Sequence, residues 1–243
     1  HRQLGDLTAA QTCFDGAVNT LLEMLGTSSE PVILRSLGDS HVLQAQCRLD
    51  QAVSNHSPEL IRGASLRIAS EALDKATSYF ARHREATGGG IHYEGRMHGA
   101  KAFLGVAISL VQPGSMTPRR WSEIETLARG AFEPERDRKP FGIVAGKFAL
   151  SVVLLAKARW QIIAPVGGGE AAAQVALEQA DTLLRSIFID YLEPGYVQLG
   201  ARFEMPKVRL ASSTVENLRA LPRLGSDAWD EADSLPVIWS PLA

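Results

Sequence analysis

Residues 5–17 read Gly5-Asp6-Leu7-Thr8-Ala9-Ala10-Gln11-Thr12-Cys13-Phe14-Asp15-Gly16-Ala17. Behind the glycine, a small, a large and a small residue follow at Ala10, Phe14 and Ala17, and helical spacing puts all three on one face. Such a face admits a second helix closely at the small positions, while the large side chain fills the space between neighbouring helix pairs. The same spacing recurs at Gly168, Ala173, Leu177 and Ala180. Two weaker copies lack the glycine: Ala64 with Ala69, Leu73 and Ala76, and Arg119 with Ile124, Ala128 and Ala131. Each stands near a further helical pattern. The recurring unit is a helix pair.

Working outward, apolar residues at i, i+3, i+4 and i+7 predict a first helix from about Thr8 to Leu25, closed by Gly26 as a C-terminal cap. A second is expected from Asp39 or Ser40 to about Asn55. Ser57-Pro58-Glu59 reads as an N-cap with proline at the first helical position. The long helix behind it runs to about His83. Gly88-Gly89-Gly90 interrupts the pattern, which resumes near Glu94 and continues to Val111. Thr117-Pro118 opens the next helix. Glu133 to Pro140 (EPERDRKP) is a mixed-charge connector. Apolar helices follow from Phe141 to Ile163 and, past the turn Gly167 to Gly169, from Glu170 to Phe188. Beyond Pro194 periodicity fades. One short helix is expected over Leu210 to Leu221, with Trp229 and Trp239 pinning an extended tail.

Strand signals are nearly missing: aromatic residues make up only 7% of the chain, and alternating β-branched runs do not recur. The fold class expected is all-α, built of stacked antiparallel helical hairpins with an irregular C-terminal tail. Residues 1–193 would form the helical domain and 194–243 an extension packing on it. The small–large–small spacing after a turn glycine resembles the second helix of a tetratricopeptide (TPR) repeat, and the resemblance spreads over about residues 1–188. It implies a TPR-like α-solenoid that binds a protein or peptide. The small positions 10, 69, 124 and 173 are 59, 55 and 49 residues apart. That exceeds the family's period of about 34, so the helices and loops would be longer than the standard unit. The chain begins in mid-unit and at His1 rather than Met, which predicts missing chain in front and an apolar outer face on the first helix. A homodimer through that repeat end is one consequence.

Composition narrows the function. The chain has 243 residues, 45% of them apolar and 21% charged, enough for a real core and a solvated surface. A formal charge of −2 and a pI near 6.3 give no basic field, so no nucleic-acid partner is expected. Arginine outnumbers lysine 19 to 6, a bias of composition and not a stripe. The longest apolar stretches, Ala102 to Val111 and Phe148 to Ala156, are about half the roughly 20 residues that cross a bilayer. No membrane partner is expected. Cys13 and Cys47 are too few for a disulfide framework or a four-thiolate zinc site, and free thiols favour a reducing, cytoplasmic setting. Walker, nucleophile-elbow and paired-acid magnesium motifs are absent from the sequence. No cofactor and no resident metal are expected.

The most unusual text is Gly88 to His98 (GGGIHYEGRMH), which holds two of the six histidines beside a carboxylate, a tyrosine and an arginine. His92, Glu94 and His98 are candidate metal or catalytic residues. The histidines stand six apart, however, where a helical zinc pair wants four. The stretch also resembles the Asp-Gly-x-Tyr-x-Glu-Gly-x-x-Tyr segment of heparinase-like polysaccharide lyases, whose α/α-toroid is made of helical hairpins. Gly90, Glu94 and Gly95 match; Gly89, His92 and His98 replace Asp, Tyr and Tyr. That resemblance implies His92 or Tyr93 as proton acceptor or donor and Arg96 as a clamp for a uronate carboxylate. As structure, the glycines end one helix and begin another, leaving polar residues on an exposed turn. Repeat proteins bind partners through such residues, so His92, Tyr93, Glu94, Arg96 and His98 are also the candidate binding set.

No catalytic constellation is complete. A non-enzymatic interaction domain is therefore the leading expectation, and an all-α enzyme using His92, Glu94 and His98 is the rival. A ligand-sensing regulatory domain, with a cavity around Phe103, Phe148 and Trp160, ranks third.

Overall fold

The structure is a computed structural model; it describes residues 6–28, 30–54, 59–88, 92–132, 140–164, 169–187, 189, 209 and 211–219. Among them no strand occurs. The helices are α1 (Leu7–Thr27), α2 (Pro31–Val53), α3 (Glu59–Thr87), α4 (His92–Val111), α5 (Pro118–Phe132), α6 (Pro140–Ile163) and α7 (Gly169–Ile187). A 3-10 turn, Pro113–Ser115, joins α4 to α5. Residues 211–219 form a further helix, α8.

Local chemistry sets several of the ends. Asp6 caps α1 by accepting the Ala9 N–H at 2.9 Å. Pro31 begins α2 at the position where a missing N–H costs nothing. Thr117 Oγ1 accepts the Arg120 N–H at 3.2 Å at the start of α5. Gly88 closes α3 in the left-handed region, φ 70°, with its N–H on the Arg84 carbonyl at 3.0 Å.

Four boundaries differ from expectation, the first being α3, which runs on to Thr87 past the expected end near His83. Gly26 is not a left-handed cap: α1 runs on to Thr27, and Ser28 donates its N–H to Met24. α2 starts at Pro31 and not near Asp39; the exposed face of its first turn holds apolar Val32 beside Arg35, so no purely polar stripe marks its beginning. α4 starts at His92, two residues before the predicted onset. The proposed cap at Ser57-Pro58, the connector 133–139 and both Trp229 and Trp239 lie outside the described residues.

Packing follows chain order. Each helix from α1 to α7 packs on the next, and in addition α2 packs on α4 and α4 on α6. These three alternate helices are enclosed. From Ser36 to Val53 on α2 none of the side chains is exposed, and the same holds for the described side chains of α4 and for those of α6 as far as Ile162. Helices α1, α3, α5 and α7 each keep an exposed face.

Two large clusters form the core. One joins α2, α3 and the inner side of α4; the other joins α4, α5, α6, α7 and α8. Phe103, Ile108 and Leu110 of α4 touch both, which makes α4 the hinge pin between them. Ala211, Val215 and Leu218 bury α8 in the second cluster, and Arg219 reaches to 3.9 Å from Asp181 of α7. The α1 junction is much smaller: Val18, Ile33 and Leu37, with Leu21, Leu25 and Tyr79 against them. None of the helices is long and apolar enough to cross a membrane, among the described residues.

The small–large–small positions are buried to different degrees. Ala69, Leu73 and Ala76 are 1% exposed or less, and Ala173, Leu177 and Ala180 are at most 2%. At α5 the first position is Ile124, large where the others are alanine. Gly105 of α4 makes the room, for a Cβ there would lie 2.5 Å from Ile124 Cγ1. Of the set on α1, Ala10 alone is buried; Phe14 is half-buried, and Ala17 is exposed. The outer face of α1 also shows Leu22, Met24 and Cys13, mixed with threonines and Glu23.

Candidate functional site

The first turns of α4 carry the residues singled out in the sequence. His92 opens the helix, so His92, Tyr93, Glu94, Arg96 and His98 are all helical. The side chains of His92, Tyr93, Glu94 and Arg96 lie outside what is described. Register alone separates them: at about 100° per residue, positions 94 and 98 share a face while position 92 is roughly 120° or more away from both. His98 is half-buried and turned to α5, where its Nδ1 would sit 2.7 Å from a Cβ on Gly130. That Nδ1 has no hydrogen-bond partner among the described residues. Among the described residues no three of His, Cys, Asp and Glu come together as a metal-binding group. The rings proposed to line a ligand cavity are core packing. Phe103 and Phe148 lie against the second cluster, and Trp160 is tilted on the fully buried Trp121 at 6.1 Å.

The best-organised polar cluster is elsewhere, where α1, α2 and α3 meet. Asp15 of α1 accepts an N–H from Gln11 at 2.7 Å and another, short, from Gln44 of α2. An ionised carboxylate only accepts, so the Gln44 amide must turn its nitrogen to Asp15 and its oxygen the other way. That oxygen is 3.0 Å from His41 Nδ1. The imidazole therefore donates from Nδ1, and its tautomer is set. Tyr79 of α3 stacks on the ring at 5.6 Å with planes 7° apart. Arg82 lies 5.7 Å from the Tyr79 centroid on the outside.

His41 is 4% exposed. Burial holds its pKa below the ordinary imidazole value; the Gln44 hydrogen bond works against this and the positive charge of Lys75 adds to it. At neutral pH the ring is uncharged. Gln11 Oε1 is buried with no partner, so one acceptor of the cluster stays unused. Sequence reading missed these residues because they are scattered over three helices. Two local signals point to them: Gln11 with Asp15 at i, i+4, and His41 with Gln44 at i, i+3.

A short interhelical ion pair also ties the second core cluster. Lys157 of α6 donates to Glu125 of α5 at 2.7 Å, and Arg129 donates to the same carboxylate at 2.8 Å. Burial pushes the Glu125 pKa up, but the hydrogen bonds and charges of Lys157 and Arg129 outweigh it and hold the group below its ordinary 4.5. This stabilisation is present above the ordinary carboxylate pKa and is lost as pH falls through the depressed value. Lys157→Met is expected to cost about 1–3 kcal/mol at pH 7. It should also flatten the acid limb, read as urea midpoints from about pH 6 to pH 3. An unchanged acid limb would remove Glu125 as its source.

Comparison with known protein families, with curated proteins and with solved structures finds no match.

Proposed function

We propose that the chain is a helical-repeat interaction domain, a TPR-like α-solenoid that takes a protein or peptide partner. One observation carries this reading. Enclosed helices α2, α4 and α6 touch each other in order, while amphipathic α3, α5 and α7 each close a hairpin with the helix before them. Hairpins stacked through alternate helices are how repeat proteins build an extended surface from local contacts. The burial of the small–large–small sets on α3 and α7 supports the same reading.

The partner-binding residues of this proposal are His92, Tyr93, Glu94, Arg96 and His98, at the start of the central helix α4. The test is selection of a random peptide library on the whole chain, followed by hydrogen exchange with an enriched peptide bound. Protection over residues 92–98 and the facing parts of α2 and α6 is the expected result. Joint replacement Glu94→Ala and Arg96→Ala should then weaken the peptide at least about tenfold, the loss of roughly 1.4 kcal/mol, with an unchanged thermal midpoint. Failure to enrich any peptide, or protection confined to α7 and α8, would overturn the proposal.

A further inference from the structure

The polar cluster at the α1 junction has a feature that simple cohesion does not require. Its centre is a histidine, buried and neutral, joined to α1 only through an amide. The geometry points to an acid-operated release of α1: protonation of His41 detaches the first helix from α2 while the rest of the stack stays folded.

The groups facing the ring explain why a second proton is unwelcome there. From α3 come Lys75, the Tyr79 ring and, beyond it, Arg82; from α1 comes Asp15; α2 itself offers neutral Gln44, and two turns on, Arg48 is engaged with Gln51 at 3.0 Å. His98 of α4 is turned to α5. Among the described contacts Asp15 meets His41 through the Gln44 amide, while Lys75 already supplies positive charge from α3. An imidazolium at this place is buried, has no contacting anion among the described residues and adds to the positive charge of Lys75. It gains most by reaching water.

The element that can yield is α1. Only Ala10, Gln11 and Val18 of its residues are buried, against twelve residues of α2. Its junction cluster holds three buried apolar side chains, whereas fourteen join α2, α3 and α4. Beyond that cluster, the polar contacts from α1 to α2 include the Gln44–Asp15 bond and the Cys47 thiol, which donates to the Leu7 carbonyl at 3.4 Å. When α1 leaves, Gln44 loses Asp15 and is free to turn away from His41, which opens Nδ1 to water. Elements with few buried contacts open independently of the global transition, and a protonation there shifts that local equilibrium.

Hydrogen exchange of the full chain, corrected for the intrinsic pH dependence of the chemical step, tests this between pH 7.5 and pH 5.5. Opening of α1 is expected to become several-fold easier at the lower pH. The ceiling is about tenfold, since one imidazole with a released pKa near 6.5 is being read one unit below it. Amides of α6 and α7 should not change. His41→Asn keeps an N–H near the Nδ1 position and cannot titrate, so its α1 exchange should be flat with pH. Equal acid loosening of α1 in His41→Asn, or uniform loosening of all helices in the wild type, would overturn the inference. Should the variant not fold, wild-type NMR decides the matter: the His41 ring and the α1 amides must titrate with one midpoint, and separate midpoints refute the coupling.

Discussion

Leu73→Ala and Leu177→Ala are each expected to lower stability by about 2–5 kcal/mol, whereas Phe14→Ala should cost roughly 1 kcal/mol, in urea unfolding at neutral pH. All three are the large member of a small–large–small set, so sequence alone ranks phenylalanine as the costliest loss. Burial reverses the order. Leu73 and Leu177 are 1% and 2% exposed, each between two buried alanines. Removing either leaves a cavity that those alanines are too short to fill, and the closely packed helices relax only in part. Phe14 is half-buried and followed by an exposed Ala17, so water already reaches its surroundings. Similar losses at all three sites would mean that α1 is buried as deeply as α3 and α7, and would also undercut the weak junction on which the release of α1 rests.

That contrast shows what was legible in the chain. Helix existence could be read wherever one face is wet: α7 alternates buried Ala173, Leu177 and Ala180 with exposed residues, and its reading survives almost unchanged. α2 lacks that contrast. In its first two turns Ile33, Leu34 and Leu37 are buried, but the exposed face carries apolar Val32 beside Arg35, so no clean polar stripe announces them. Pro31 after Glu30 was the available signal, and it marks the N-terminus correctly. The site is harder for a different reason. His92 to His98 draws the eye because unusual residues are adjacent in sequence. Asp15, His41, Gln44 and Tyr79 are ordinary residues made into a cluster by helix packing, and pairing across 29 positions, as between Asp15 and Gln44, leaves no motif.

Gly38→Ala is expected to lower stability by about 1–3 kcal/mol, although alanine is the better helix former by about 1 kcal/mol. The two effects oppose each other, and distance decides between them. A Cβ on Gly38 would lie 2.5 Å from Phe80 Cε1 and 2.7 Å from Cδ1, so the ring lies against the bare backbone of α2. Phe80 is 7% exposed and belongs to the cluster that joins α2, α3 and α4. A rigid ring in that place can give way only by moving α3 off α2. Gly63 of α3 supplies the control, because nothing lies within 4 Å of its Cβ position. Gly63→Ala should therefore stabilise by about 0.4–1 kcal/mol, through helix propensity and a less flexible unfolded chain. Phe80→Leu in the Gly38→Ala background should recover part of the loss, because the shorter side chain takes the flat ring off Cβ. By itself Phe80→Leu costs packing, so the pair must be strongly non-additive in a double-mutant cycle. Additive effects would show that Gly38 and Phe80 do not meet, and the close approach of the first hairpin would have to be abandoned.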